Sequence, residues 1–249
     1  MRHEPTTDPE IRVAAPWLVA WRTRHLVLLL LVLGLVLVGL TFVASQANPN
    51  GIDLGATRWI QQFQQPAFAT LMLWVSWPGF APQTWVLPFV VAAPFALRRL
   101  WVEALWVLAT QASSVLVTAM KDIVHRARPS PDLVGVLVPL NSPSFPSGHV
   151  VQYTMLFGFT FFLVYVLAPR STLRTAALVL LAVPIALVGF SRMYLGQHWL
   201  SDVLGGYAVA ALLLIPVCWA YVKWRLEYTR SHFRTRTKQP STVSVPKST

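Results

Sequence analysis

Residues 173–222 read LRTAALVLLAVPIALVGF-SRMYLGQHWLSD-VLGGYAVAALLLIPVCWAYV, two apolar runs that enclose a polar stretch, 191–202. Each run approaches the ~20 residues that a helix needs to cross a bilayer. His198 and Asp202 stand four residues apart where the second run begins, so on a helix they share one face. A carboxylate beside an imidazole fixes its tautomer and stabilises its charged form. Arg192 adds a planar fork suited to phosphate oxygens. Taken alone, this pattern also fits an ion pair that stabilises a helix start.

The composition indicates a membrane protein. Of 249 residues, 55% are hydrophobic and 12% are charged, whereas a soluble domain has about 25% charged residues. Taken alone, the net charge of +11 would suggest a protein that binds nucleic acid. However, the basic residues cluster at the ends of apolar runs, where membrane topology places them. We therefore predict no nucleic-acid partner. The single cysteine, Cys218, excludes an intramolecular disulfide.

The apolar runs predict an all-α polytopic membrane protein, a six-transmembrane-helix bundle with an interfacial helical segment between spans 1 and 2. The first run is too long for the core of a cleaved secretory signal. Residues 1–25 are predicted as a cytoplasmic N-terminal segment, 26–222 as the membrane domain, and 223–249 as a basic cytoplasmic tail, disordered beyond about Phe233. The spans are expected at about 26–44, 80–97, 100–120, 148–168, 173–190 and 200–222.

The distribution of basic residues predicts the orientation of the bundle. With six spans, fifteen of the twenty Lys and Arg residues fall on one side, namely at the N-terminus, at 98–99, at 170–174 and in the tail. An excess of Lys and Arg marks the cytoplasmic side. Both termini are therefore expected in the cytoplasm. The five remaining basic residues lie on the outer side and need another explanation: Arg58, Lys121, Arg126, Arg128 and Arg192.

Lys121 precedes Arg128-Pro129 with six residues between them. Together with His125 and Arg126, these cations form a patch suited to a doubly charged anion. Interfacial anchors with snorkelling side chains are the alternative interpretation of this cluster.

The segment Phe145-Pro146-Ser147-Gly148-His149 leads into the fourth run. Serine caps a helix, and the first-turn amides then form an anion site. His149 at that mouth is suited to proton transfer near neutral pH. An ordinary helix start with an incidental histidine is the alternative interpretation here.

All three clusters fall at the outer ends of spans three to six. Ionisable residues that gather at one depth of a membrane protein indicate a functional site. Lys121-x6-Arg128-Pro129, Pro146-Ser147-Gly148-His149 and Ser191-Arg192-x5-His198-x3-Asp202 together resemble the three-part signature of the type 2 phosphatidic acid phosphatase family, which shares its site with the vanadium haloperoxidases. The resemblance runs from about Asp53 to Gly206.

The resemblance implies a lipid phosphatase that acts at the outer face of the plasma (inner) membrane through a phosphohistidine. His198 would be the nucleophile, Asp202 its orienting carboxylate, and His149 the general acid and base. The phosphate-binding groups would be Lys121, Arg128, Ser147, Gly148 and Arg192. No Asp/Glu/His metal-ligand set is apparent in the sequence, so we predict no metal and no other cofactor.

The expected substrate is a lipid phosphate or pyrophosphate whose tails stay among the membrane lipids. Two other functions remain open at this point. A phosphotransferase would pass the same phosphoryl group to another hydroxyl, and a lipid-binding or transport protein would carry the site without turnover. The predicted spans exclude a soluble haloperoxidase.

Overall fold

Helices are the regular structure in the described part of the chain, residues 23–46 and 49–237 of a computed structural model. Most of the predicted segment 1–25 and the end of the predicted tail lie outside these residues. The confirmed fold class is therefore all-α. In chain order the α-helices are α1 (Thr23–Ala44), α2 (Gly51–Ile60), α3 (Pro66–Ser76), α4 (Gln83–Leu97), α5 (Trp101–Ala109), α6 (Ser113–Val124), α7 (Gly148–Leu167), α8 (Thr172–Tyr194) and α9 (Leu200–Thr237).

Within the described residues, five helical stretches are long and apolar enough to cross a membrane. They are α1, α5 with α6, α7, α8 and the first part of α9. A sixth span is present if α3 and α4 are counted together, since the two pass the same test but are bent by 78°. The chain is thus an integral membrane protein with five candidate spans, or six, as the sequence predicts, if the bent pair counts as one span.

The second predicted span, 80–97, corresponds to α4, which follows α3 across a sharp bend. A 3-10 turn, Trp77–Gly79, ends α3, and α4 begins at Gln83 instead of about residue 80. Pro78 and Pro82 lie in this break, and proline cannot donate the backbone hydrogen bond that would continue a helix. The sharp bend therefore lies where the prolines remove the helical ladder.

The helical segment predicted between spans 1 and 2 is α2. Asn50 caps it, because its side-chain oxygen accepts from the Asp53 amide at 2.8 Å. One face of α2 is buried through Asp53, Thr57 and Ile60, while Trp59 is exposed. The buried face carries the Asp53 carboxylate. Because an unpaired buried charge is costly, this face must contact polar groups as well as apolar side chains.

Helix α7 forms the centre of the bundle. Its residues enter three buried clusters, which join it to α8, to α4 and α5, and to α6 and α9. Val150, Leu156 and Phe159 are each fully buried. Because α7 packs against five other helices, its first turn is held in a fixed position relative to the ends of α6, α8 and α9.

Helix α9 continues to Thr237, past the predicted span end at residue 222 and past Phe233, where disorder was expected. Residues 223–237 contain neither glycine nor proline, so nothing in the local sequence breaks the helix. The part of the predicted tail after residue 237 lies outside the described residues.

A buried carboxylate joins α9 to α5 at the end of the bundle where Arg98-Arg99 lies. Glu103 is 2% exposed, and its Oε1 accepts a hydrogen bond from the Tyr221 hydroxyl at 2.9 Å. Arg225 lies 3.5 Å from the same oxygen.

Candidate active site

Four helix ends meet at one end of the bundle, namely the end of α6, the start of α7, the end of α8 and the start of α9. The eight residues predicted to form the site all lie at these ends or in the loops beside them. They are Lys121, Arg128, Ser147, Gly148, His149, Arg192, His198 and Asp202. The structure therefore brings together residues that the sequence separates by about a third of the chain.

His198 and Asp202 form the buried base of the site. His198 precedes α9 and Asp202 lies in its first turn, with Nδ1 of the imidazole 3.5 Å from Oδ2 of the carboxylate. The same Oδ2 accepts from the Trp199 amide at 2.8 Å, which satisfies a backbone donor at the helix start. The carboxylate thus holds both the turn and the ring, and Nε2 of His198 points the other way.

Arg128 contacts that second ring nitrogen. Its Nη1 lies 3.3 Å from Nε2 of His198 and donates to the Gln197 carbonyl at 2.6 Å. Its Nε donates to the carbonyl of Ser142 at 2.5 Å, and Lys121 Nζ donates to the carbonyl of Pro143 at 2.8 Å. The two predicted phosphate-binding cations therefore face the same short loop beside the imidazole.

Arg192 lies at the end of α8 and is fully buried. Its Nη1 donates to the Ser76 hydroxyl at 3.1 Å, and its guanidinium lies over the ring of Phe80, 5.1 Å from the centroid. The Nε and Nη2 atoms have no hydrogen-bond partner among the described residues. A buried cation with two unsatisfied donors is suited to an anion.

His149 follows the helix cap of α7. Ser147 is the extended residue before the helix, and its backbone N–H donates to the Asp202 carbonyl at 3.1 Å. The hydroxyl of Ser147 and Nε2 of His149 are both buried and have no partner in the described chain. Arg192, His198 and Lys121 are close enough to act electrostatically on His149. The start of α7 therefore faces the same centre as the three cations.

The break between α3 and α4 forms one wall of the site. The sequence analysis did not predict that this segment contacts the site. Phe80 packs edge-on against the His149 ring, with centroids 4.9 Å apart. A Cβ atom on Gly79 would overlap the same imidazole. Ser76, which holds Arg192, also belongs to this segment. The Pro78-Gly79 pair was the available signal, because glycine permits a close approach that any side chain would block.

Ser144 is a second residue that sequence reasoning missed. It is fully buried, its hydroxyl donates to Oδ2 of Asp202 at 2.5 Å, and it lies 3.4 Å from Nδ1 of His198. It stands three residues before Ser147 in the loop leading to α7. The composition of that loop does not indicate that Ser144, and not Ser142, contacts Asp202.

The structure corrects the expected position of Arg126. The sequence analysis placed it in the anion patch with Lys121 and Arg128, but its side chain is 4% exposed and pairs with two carboxylates instead. Its Nη1 contacts Asp202 Oδ1 at 2.5 Å and its Nη2 contacts Asp53 Oδ2 at 2.7 Å. Arg126 therefore forms ion pairs with two carboxylates. The exposed His125, whose backbone is left-handed (φ +48°), ends α6 and does not join the site either.

The electrostatics of the site keep the imidazole of His198 neutral. Burial lowers the pKa of His198 well below its ordinary value of 6.5, and the neighbouring charges of Arg128, Arg192 and Lys121 lower it further. A hydrogen bond with the backbone of Ser144 opposes the shift. Burial also lowers the pKa of Arg128 to about 10, which still leaves it charged at neutral pH. The site thus combines an unprotonated imidazole with fixed positive charge.

Among the described residues, no three His, Cys, Asp or Glu side chains come together as a set that could hold a metal ion. The charges that face the centre are those of the three basic side chains. The arrangement is chemically able to bind a tetrahedral anion and to present it to an imidazole nitrogen.

Comparison with known proteins gives consistent matches. The model of the PAP2 superfamily matches residues 101–227. Phosphatidylglycerophosphatase B of Bacillus subtilis (strain 168) is 33% identical over 138 residues, 54% of this chain and 66% of that protein. The match therefore spans just under two thirds of the relative's length.

Two solved structures share the fold. The first transmembrane PAP2 type phosphatidylglycerolphosphate phosphatase from Bacillus subtilis aligns with a TM-score of 0.64 and 27% identity, over 76% of this chain and 93% of that one. Aquifex aeolicus LpxE aligns with a TM-score of 0.51 and 24% identity, over 70% of this chain and 95% of that one. At that identity, the second likeness concerns the fold alone.

Proposed function

The chain belongs to the PAP2 superfamily, and from this membership we propose that it is a membrane-embedded phosphatase that hydrolyses a lipid phosphate or pyrophosphate through a phosphohistidine. The observation that supports this proposal is a set of buried polar atoms at these helix ends that have no hydrogen-bond partner in the described chain. They belong to Ser147, His149 and Arg192; the family resemblance implies that Ser147 and Arg192 bind the phosphate and that His149 is the general acid and base. Buried donors are almost always satisfied, so a bound phosphate would complete them.

In the first step, Nε2 of His198 attacks the phosphorus, and the bond from phosphorus to the leaving oxygen breaks. Nε2 is the attacking atom because Nδ1 faces Asp202 and Ser144. The ring gains positive charge as the N–P bond forms. The Asp202 carboxylate stabilises that charge and holds the tautomer.

His149 handles the protons of both steps. It donates a proton to the leaving oxygen of the lipid as the first bond breaks. In the second step it takes a proton from water, whose oxygen attacks the phosphohistidine and releases inorganic phosphate. The proton and the histidine are thereby restored to their starting states.

The cations hold the non-bridging phosphate oxygens. Arg192 offers Nε and Nη2, while Lys121 and Arg128 exchange their contacts with the loop at Ser142 and Pro143 for contacts with the phosphate. Ser147 and the Gly148 amide complete the cradle at the start of α7. Fixed donors aimed at developing charge are commonly the largest catalytic contribution.

Phosphatidylglycerophosphate is the first substrate to test. One relative is called phosphatidylglycerophosphatase B, and a structural neighbour is described as a phosphatidylglycerolphosphate phosphatase. The site lies where helices meet one end of a membrane bundle, so a lipid could keep its acyl chains among the spans while its phosphate enters between the helix ends.

We place the site on the outer face of the plasma membrane and both termini in the cytoplasm. The support is the excess of basic residues at the opposite helix ends, for example Arg98-Arg99 and Arg170. Fluorescence of green fluorescent protein fused after Thr249 would test this, since that reporter fluoresces when it remains in the cytoplasm. A full-length fusion protein that does not fluoresce would contradict the proposed cytoplasmic location of the C-terminus.

The decisive experiment is a phosphate-release assay with purified protein and single lipid phosphates in detergent micelles. Wild type is expected to release inorganic phosphate and to form an acid-labile, alkali-stable phosphoenzyme. His198→Ala should lose both, while His25→Ala, on the exposed face of α1, should retain both. Retained turnover in His198→Ala would reject the nucleophile, and no release by wild type from any lipid phosphate would reject the function.

The same assay separates hydrolysis from phosphotransfer. Addition of an alcohol acceptor should leave inorganic phosphate as the product of a phosphatase. Release that depends on the acceptor, with the phosphoryl group recovered on it, would favour the phosphotransferase instead.

A further inference from the structure

Asp53 lies outside the residues that face the phosphate, yet it is 1% exposed and both of its oxygens are occupied. Oδ1 accepts from the backbone amide and the hydroxyl of Ser201, both at 2.8 Å. Oδ2 accepts from Nη2 of Arg126 at 2.7 Å and from Asn50 Nδ2 at 3.0 Å. A side chain of α2 therefore caps the start of α9, directly beside the two catalytic residues of that helix end.

Arg126 connects this carboxylate to the catalytic one. Its Nη1 donates to Asp202 Oδ1 at 2.5 Å and to the Ser201 hydroxyl at 2.6 Å, while its Nη2 donates to Asp53. One cation is thus shared by two buried carboxylates. The three groups together carry a net charge of −1.

The location of that residual charge matters for the reaction. Arg126 alone would neutralise Asp202, and His198 would then face the cations Lys121, Arg128 and Arg192 without compensation. With Asp53 present, the excess negative charge remains behind the imidazole. Because the cluster is buried, its charge is only weakly screened by solvent.

We propose that Asp53 is a positioning residue for the proposed phosphatase reaction, which offsets the charge of Arg126 so that Asp202 stabilises the imidazolium of the phosphorylated His198. The inference rests on the proposed function. It assigns a role to α2, which lies outside the family match at residues 101–227.

Charge arithmetic gives a test that uses three variants. The cluster carries −1 in wild type, zero in Asp53→Asn, −2 in Arg126→Gln, and −1 again in the double variant. Each single variant should lower kcat for phosphatidylglycerophosphate in micelles by roughly 10-fold to 100-fold, the range of coupling within one buried network. Asp53→Asn removes the charge that stabilises the imidazolium, whereas Arg126→Gln leaves two buried carboxylates that repel each other, so that Asp202 takes up a proton and loses its charge. KM should change little, because neither side chain faces the phosphate. The double variant should be more active than either single variant.

The acid limb of the pH profile provides a second measurement. The charged or titratable groups around His198 are Lys121 on α6, Arg128 in the loop, His149 on α7, Arg192 on α8 and Asp202 on α9, and the variants leave all of them in place. Asp53→Asn makes the surroundings more positive and should move the limb to lower pH. Arg126→Gln should move it to higher pH, and the double variant should return it close to wild type.

Asn50→Ala is the matched control, since it removes a hydrogen bond to the same carboxylate but keeps its charge. Its kcat should stay within about twofold of wild type. An equal loss in Asn50→Ala would assign the effect to helix docking and overturn the proposal. A double variant no better than the single variants, or an unmoved acid limb, would overturn it as well.

Two other experimental outcomes must be distinguished from those that overturn the proposal. If Asp53→Asn does not accumulate as folded protein, the comparison of the double variant with Arg126→Gln carries the same test, because the double variant leaves no unpaired buried cation. If wild type releases no phosphate, the proposed function fails and not the charge argument. An active wild type with an equally active, folded Asp53→Asn variant overturns the inference alone.

Discussion

Nη1 of Arg128 lies 3.3 Å from Nε2 of His198, the ring nitrogen that faces away from Asp202. The proposed nucleophile and a proposed phosphate ligand are therefore in direct contact before any phosphate arrives. An incoming phosphate would be held by the guanidinium on the same side from which the imidazole attacks.

This contact predicts the direction of a pH effect. Burial lowers the pKa of His198, and the Arg128 charge beside the imidazole lowers it further because it penalises the protonated form. The acid limb of kcat/KM for wild type is expected below pH 6.5. Arg128→Gln removes the charge and should move the limb to higher pH, with kcat/KM reduced by about 100-fold or more. Nuclear magnetic resonance titration of His198 in the free protein separates this limb from ionisation of the substrate. An unmoved or lowered pKa in the variant would contradict the assignment.

Ser144→Ala should lower kcat by about tenfold, because the hydroxyl donates to the Asp202 oxygen nearest His198. A hydrogen bond to a charged group is worth about 1.5–3 kcal/mol. Ser114→Ala is the control, since that exposed hydroxyl bonds only the Gln111 carbonyl of its own turn among the described residues. Equal rates for the two variants would remove Ser144 from the site.

Gly79→Ala should lower kcat strongly, by roughly 10-fold to 100-fold, because the new methyl group overlaps the His149 imidazole and displaces it. The effect is expected on the rate of phosphate release and less on the amount of folded protein. Gly55→Ala makes the same change on the exposed side of α2, where a Cβ meets nothing within 4 Å. The control should retain activity, and a fully active Gly79→Ala variant would show that the ring has room to move.

Treatment with a chelator should leave phosphate release unchanged, because Lys121, Arg128 and Arg192 supply the positive charge that a metal would otherwise supply. The measurement compares initial rates before and after dialysis against EDTA. Loss of activity that Mg²⁺ restores would count against this prediction.

Tyr221→Phe should reduce stability without reducing kcat. The variant removes the hydroxyl that donates to the buried Glu103, at a cost of about 1–3 kcal/mol. Tyr221 lies roughly 28 Å from Asp202 along α9, so the site should be unaffected. Thermal denaturation in detergent measures the first effect and phosphate release the second. A variant with unchanged melting temperature would indicate that the Glu103 contact contributes little.

Much of the site was predictable because its chemistry depends on residue types at fixed spacing. Asp202 lies in the first turn of α9 and His198 lies just before that helix, and Ser147 precedes a helix that the apolar run defines. Lys121 and Arg192 fall at the ends of such runs as well. These positions follow from the helical period and from the length of a span, which are local properties.

The remaining features depend on contacts between distant segments. Asp53 is the only acidic residue between residues 11 and 102, which is a signal, but its pairing with Arg126 exists only once α2 docks against α9. The same holds for Gly79, whose partner His149 is far along the chain. The Pro78-Gly79 pair indicates a break, but the angle between α3 and α4 was not predictable, because an apolar segment with prolines is compatible with a kinked span or with two helices.

The site is built from the ends of four helices, α6, α7, α8 and α9. The proposed reaction therefore requires that these helices be assembled in one bundle. A backbone cut between residues 129 and 146 would leave Lys121 and Arg128 on one fragment and both proposed catalytic histidines on the other. Neither fragment would contain a working centre, whereas co-expressed halves that reassociate would rebuild it. Turnover would then report fragment complementation directly.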